Sequence, residues 1–379
     1  MKLGVYIHIP FCRRKCLYCD FSSSADEIER YQESYITALS REITGRGGVL
    51  SGYTVDSVYF GGGTPTVLQA EALGKILARL SDYTSIEADV EITVEANPDT
   101  VDGEKLSALR MSGVNRISFG VQSFTDEVLK AAGRIHSAEG AKSAVWQANA
   151  SGFDNVSLDL MYGLPKQSAA SFRSGLNEAL KLPVRHLSVY GLKVEDNTPF
   201  GKMAAEGRLV LPEEEEEDAM YQDAVRILPQ RGFERYEISN YALPGYESRH
   251  NLKYWRYQPY LGLGVAAHSF MHNRRAANTR SLAQYLKLTE QEVLPVVEEE
   301  RVSEGQAMAE FAFLALRTKA GLRYQDFNHC FGTDFLSHYG PVVETMTAKG
   351  AVIADTKGIR LTDRGMKYGN VVFAAFLPE

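Results

Sequence analysis

The chain has 379 residues, 44% hydrophobic and 23% charged, the balance of a folded globular protein long enough for more than one domain. A net charge of −7 gives no general attraction to nucleic acid, and no apolar run is long enough for a transmembrane segment. The N-terminus lacks the basic start, long apolar stretch and cleavage site of a signal peptide, and the four cysteines do not make a disulfide framework for a chain of this size, so a cytoplasmic location is expected.

In chain order, the first half alternates strand and helix patterns. Strands are expected over residues 4–9, 55–60, 91–96, 116–120, 155–160 and 186–190, with helices over 28–44, 70–81, 103–111, 138–149 and 171–180 between them. That alternation predicts a parallel sheet with crossover helices, an α/β core of six βα units. Beyond about residue 195 the alternation fades. Leu211-Pro212 opens an acidic run over 213–218, which reads as a solvated helix start, since proline and carboxylates suit the first turn. From residue 302 onward, helices over 304–316 and 341–349 and a hairpin over 351–354 and 358–361 suggest a winged-helix-like module. Residues 301–379 carry nine Lys/Arg against eight Asp/Glu, so a structural or lid role is expected of it rather than phosphate binding. The expected organisation is a core over 1–235, a connecting segment over 236–301 and the module over 302–379.

The chemistry concentrates at Cys12, Cys16 and Cys19, spaced C-x3-C-x2-C, with Cys330 far downstream. Three close thiols suit an iron–sulfur cluster whose fourth iron stays open. A structural cysteine loop, or a zinc site completed by a distant ligand such as His8, is the alternative. His8 lies in the first strand run, where packing or hydrogen bonding is its expected role. Cys330 is expected to be a small buried apolar residue. Tyr59-Phe60-Gly61-Gly62-Gly63-Thr64-Pro65 follows the second strand; its glycines allow close approach to a ligand, and it lacks the lysine of a phosphate loop. Glu95, Gln122 and Asp159 fall at the ends of the third, fourth and fifth strands, and Arg134 lies a helix after Gln122. An inward aspartate in an apolar strand needs a partner, and an arginine suits a carboxylate.

The cysteine loop, with Tyr18 before its last cysteine, resembles the radical S-adenosylmethionine (SAM) superfamily. The strand-end residues resemble its branch of oxygen-independent coproporphyrinogen III oxidases and their relatives, through residues 1–165 and again at Tyr236-Glu237-Ile238-Ser239-Asn240-Tyr241-Ala242. The resemblance implies a partial (β/α)6 TIM-like barrel, with reactive groups at the C-terminal strand ends. It also implies a 4Fe–4S cluster on Cys12, Cys16 and Cys19, and SAM contacted by Tyr6, Tyr18, Gly62, Gly63, Thr64, Glu95, Gln122, Arg134 and Asp159. An electron donor such as a flavodoxin or ferredoxin is implied with them. Two departures argue against the oxidases. Phe21 stands where they carry a further cysteine, and the eleven residues before Cys12 leave no room for their N-terminal arm. His250-Asn251-Leu252-Lys253-Tyr254-Trp255 resembles instead the heme-chaperone subgroup of the branch, which implies a heme site at His250, Asn251, Tyr254 and Trp255 and a heme-acceptor protein, for instance a respiratory one. Without the resemblance, His250 reads as a satisfied loop histidine. Iron ligation and pocket ordering are both open to it, and the catalytic residues, if any, are unassigned. Decarboxylation of coproporphyrinogen III and radical chemistry on heme itself are the enzymatic alternatives.

Overall fold

The computed structural model describes residues 1–25 and 27–377. Six parallel strands form its centre: β1 (Lys2–Ile9), β2 (Thr54–Gly62), β3 (Ser85–Ala96), β4 (Arg116–Gln122), β5 (Asn155–Tyr162) and β6 (His186–Gly191). Helices Ile28–Gly45, Ala70–Ser81, Gly103–Met111, Ala138–Ala150 and Ala169–Ala179 cross between them, so the expected helix–strand alternation is present with shifts of a few residues at the ends. The period-two logic of a strand is visible in β1. Leu3, Val5, Ile7 and Ile9 are fully buried in the main core, while Tyr6 and His8 alternate with them and face a cavity.

The sheet does not stop at six strands. Residues 236–301, expected as a connecting segment, carry β8 (Asn240–Ala242), β9 (Tyr260–Leu263), β10 (His268–Met271), β11 (Arg274–Asn278) and β12 (Val296–Arg301), preceded by β7 (Glu234–Arg235). The strand order is β12-β11-β10-β9-β1-β2-β3-β4-β5-β6-β8-β7. β9 runs parallel beside β1, and β8 runs antiparallel beside β6. The sheet is therefore open, a partial barrel rather than a closed one. These added strands are two to six residues long, too short for periodicity to reveal them; pairing with a preformed edge decides them.

Glu42 ties the late strands to the core. Its carboxylate is buried and accepts from the Gly264 amide at 2.8 Å, Asn278 Nδ2 at 2.7 Å and the Tyr285 hydroxyl at 2.6 Å. A second core forms from residues 308–376, around helices Glu304–Leu316, Tyr324–Phe331 and Phe335–Ala348 and a small three-stranded sheet containing the hairpin Val352–Ala354 and Gly358–Leu361. The helix expected to begin at Pro341 begins at Phe335, with Pro341 inside it. Proline usually marks a first turn, but here the Asp334 cap on the Ser337 amide and the burial of Phe335 start the helix earlier. Cys330 is exposed on the Tyr324–Phe331 helix, not buried as expected; the apolar face of that helix is taken by Phe327.

Candidate functional site

Strand ends deliver the predicted residues to one place. After β1 the chain enters the cysteine loop, pinned by backbone bonds from Cys12 N to Ser24 O (3.0 Å), Leu17 N to Ala132 O (3.1 Å) and Phe200 N to Leu17 O (2.9 Å). A single cavity is lined by Cys12, Cys16, Cys19, Tyr18, Gly62, Gly63, Thr64, Glu95, Gln122, Arg134 and Asp159. The close approach of the glycine loop has a steric cause: a Cβ at Gly63 would lie 2.5 Å from the Phe11 carbonyl oxygen. Gly62 has φ +106°, and a Cβ there would strike the His8 ring.

Two of the three sulfurs receive hydrogen bonds from side chains. Thr64 Oγ1 donates to Cys12 Sγ at 3.7 Å, and Arg134 Nη1 donates to Cys16 Sγ at 3.2 Å. Such donors favour thiolates. Burial opposes them, raising Cys12 and pushing Cys19 up to about 11, so these thiols need a bound cation to ionise fully. Among the described residues no group of three or more His, Cys, Asp or Glu side chains is placed to hold a metal ion. Further polar groups fit a ligand beside those thiols. Gln122 holds φ 67°, strained for a residue other than glycine, and its buried Oε1 has no partner among the described residues. Burial pushes the Glu95 carboxyl up to about 7, and it accepts from the Tyr59 hydroxyl at 2.7 Å. Burial likewise raises Asp159, which accepts from Ser118 Oγ at 3.3 Å.

Three residues stand elsewhere than expected or in another role. Tyr6 does not line the cysteine cavity. It lines the adjoining one, and its hydroxyl bonds His8 Nδ1 at 3.0 Å. Trp255 does not join His250, Asn251 and Tyr254, which line that same second cavity; its ring lies under the Arg317 guanidinium, 4.4 Å from the centroid. The Arg134 fork is engaged by protein groups, Cys16 Sγ, Gly120 O and Asn97 Oδ1. Sequence reasoning missed Asn97, which links Arg134 to Thr64 through 2.7 and 3.1 Å bonds. It also missed Arg116, 2% exposed, whose charge acts on both Glu95 and Asp159. A lone arginine opening the apolar strand Arg116-Ile117-Ser118-Phe119 was the available signal for Arg116.

The second cavity has a volume of about 550 Å³ and shares Phe21, Gly62 and Glu95 with the first. His250 is 1% exposed at its wall. Its Nδ1 bonds Ser57 Oγ at 3.0 Å and its Nε2 bonds the Tyr254 hydroxyl at 2.8 Å, so neither ring nitrogen is free for a metal in this arrangement. Burial holds its imidazole down at about 3, against about 6.5 for an exposed one. The folded value lies below the unfolded one, so the unfolded chain binds more protons between the two. Stability from this group is intact above about pH 6.5 and lost as pH falls toward 3. By about pH 4.5 the loss is on the order of 2–3 kcal/mol. Urea unfolding of a His250→Gln chain is expected to show a correspondingly shallower fall between neutral pH and that point; parallel pH profiles would contradict a neutral buried His250.

Residues 6–178 match the Radical SAM superfamily, and residues 302–368 match the HemN C-terminal domain. The chain is 37% identical to heme chaperone HemW of Bacillus subtilis, covering 99% of both chains, and 36% identical to HemW of Lactococcus lactis, covering 99% of this chain and 97% of that one. This chain belongs to the HemW family. Coproporphyrinogen III oxidase (HemN) from Escherichia coli, a radical SAM enzyme, superposes on this chain with a TM-score of 0.85 at 26% identity, over 99% of this chain and 89% of that one. No helix among the described residues is long and apolar enough to cross a membrane.

Proposed function

We propose that the protein is a cytoplasmic heme chaperone, binding heme in the second cavity and passing it to an acceptor protein. The observation that carries this reading is the second cavity itself. It is lined by Tyr59, Tyr254, Tyr260 and Phe21, rings suited to a porphyrin face, and it abuts the cysteine cavity through Phe21, Gly62 and Glu95. The name carried by the family's members agrees with it. Cys12, Cys16 and Cys19 hold a 4Fe–4S cluster, and SAM binds beside it against Gly62, Gly63, Thr64, Glu95, Gln122, Arg134 and Asp159. When bound, the cluster would supply electron transfer beside SAM. Gln122 Oε1 offers its free acceptor to an ammonium or hydroxyl, Glu95 holds or releases a proton near neutrality, and Arg134 donates a hydrogen bond to Cys16 Sγ. His250 orders the cavity wall by holding Tyr254, with Asn251 beside it.

The test is an anaerobic heme titration of the cluster-reconstituted chain, read in the Soret band. Saturable, stoichiometric binding is expected; its absence sinks the chaperone reading. The enzymatic alternative rests on the HemN superposition. Phe21, 62% exposed at the boundary of both cavities, occupies the place of a further motif cysteine and speaks against it. Incubation with coproporphyrinogen III, a reductant and SAM is expected to yield no vinyl product by mass spectrometry.

A further inference from the structure

Three histidines line the second cavity: His8, His250 and His268. Two of them have both ring nitrogens engaged. His8 bonds the Tyr6 hydroxyl and, through Nε2, the Ser22 carbonyl at 2.8 Å; His250 bonds Ser57 and Tyr254. His268 is exposed to the cavity, and its imidazole has no hydrogen-bond partner among the described residues. Arg280 lines the same cavity, is exposed, and has no ion pair or hydrogen bond among the described residues.

Both positions are built rather than incidental. His268 opens β10, and its backbone lies so close to β9 that a Cβ at Gly262 would fall 2.1 Å from the His268 carbonyl oxygen. Ser269, on the other face of the strand, locks the register by accepting from the Gly262 amide at 2.9 Å. Ala266, at φ 57°, donates its amide to the Thr279 carbonyl at 2.8 Å. That bond brings Arg280 beside the loop that precedes His268.

We infer that His268 is the axial iron ligand of the heme cargo and that Arg280 pairs with a propionate. The inference deepens the heme-chaperone reading and rests on it. A neutral imidazole nitrogen donates its lone pair to ferric iron with no change of oxidation state. The guanidinium matches a carboxylate in a bidentate pair, and the rings of Tyr254 and Tyr260, in edge contact at 4.6 Å, supply apolar wall for the macrocycle. A volume of about 550 Å³ falls within the range of small-molecule sites, roughly 300–1,000 Å³.

The test titrates ferric heme into the full, cluster-reconstituted chain, with the cluster kept oxidised and diamagnetic, and reads affinity together with electron paramagnetic resonance of the heme iron. Wild type is expected to give an imidazole-ligated spectrum. His268→Ala should lose that signature and bind heme roughly tenfold or more weakly, with the signature restored by added imidazole. His268→Cys should convert it to a thiolate-ligated spectrum. Arg280→Gln should weaken heme severalfold while leaving heme dimethyl ester, which lacks propionate charge, unchanged. A His268→Ala chain that keeps both wild-type affinity and the imidazole signature overturns the assignment and leaves the chaperone reading standing. A wild-type chain that binds no heme overturns both.

Discussion

A Cys16→Ala chain is expected to fold and to take up no stable iron–sulfur cluster. After anaerobic reconstitution its iron and sulfide should fall close to background, while Cys330→Ala keeps wild-type content. The argument is geometric. The three thiols stand together at the end of β1, and Cys16 is the one that Arg134 faces with a hydrogen bond at 3.2 Å. Cys330 is exposed on the Tyr324–Phe331 helix, among the C-terminal elements, and offers no replacement. Folding should survive because the loop is held by backbone bonds from Cys12, Leu17 and Phe200, none of which uses sulfur. The metal-free variant should therefore differ in stability from the metal-free wild type by no more than about 0.5–1 kcal/mol. Full iron and sulfide in Cys16→Ala would remove this cysteine from the ligand set. A collapse of the metal-free fold would instead assign Cys16 a structural role.

The second large effect is expected at Glu42, far from the cysteines. Its carboxylate is the meeting point of the helix Ile28–Gly45, the loop after β9, β11 and the helix Leu282–Glu290. Burial raises its pKa, and the bonds from Tyr285, Gly264 and Asn278 oppose that rise. Glu42→Ala takes the acceptor from the Gly264 amide and the Tyr285 hydroxyl and one of two acceptors from Asn278 Nδ2, which keeps the Gly264 carbonyl at 2.8 Å; each unsatisfied buried donor costs about 1–3 kcal/mol. Because neighbouring losses overlap, a total of roughly 3–5 kcal/mol is expected. Glu42→Gln keeps an oxygen for Gly264 and Tyr285 and turns an amide toward Asn278, so about half that loss is expected. Urea midpoints of the three chains, at equal slope, check the order wild type, Gln, Ala. The loop that Glu42 anchors runs from Gly264 to His268, so heme affinity should fall with stability in Glu42→Ala. A variant as stable as wild type would show that water satisfies the three donors.

Much of this protein is determined locally. The six parallel strands and their crossover helices follow from apolar runs of strand length alternating with amphipathic stretches, patterns that survive in any tertiary setting. The strand-end residues were legible for a related reason. In a parallel α/β sheet the C-terminal ends share one rim, so Cys12, Gly62, Glu95, Gln122 and Asp159 can be brought together by counting strands.

Other features had no local signal. β7 to β12 are too short to show a period and form because an open sheet edge was there to pair with. Asn97 and Arg116 are ordinary residues in sequence; only the tertiary fold brings Asn97 to Thr64 and Arg134 and sets the Arg116 charge beside Glu95 and Asp159. The sequence leaves both iron ligation and pocket ordering open to the histidine of the H-N-x-x-Y-W motif, and in the fold Ser57 and Tyr254 occupy both its nitrogens. His268 carries no motif in the reading of the sequence. Burial and hydrogen-bond partnership separate the two imidazoles, and both depend on neighbours distant along the chain: Ser57 for His250, and the glycine backbone of β9 for His268. Residue types and their order determined which chemistry this chain can hold; only the tertiary contacts decided which side chains remain free to perform it.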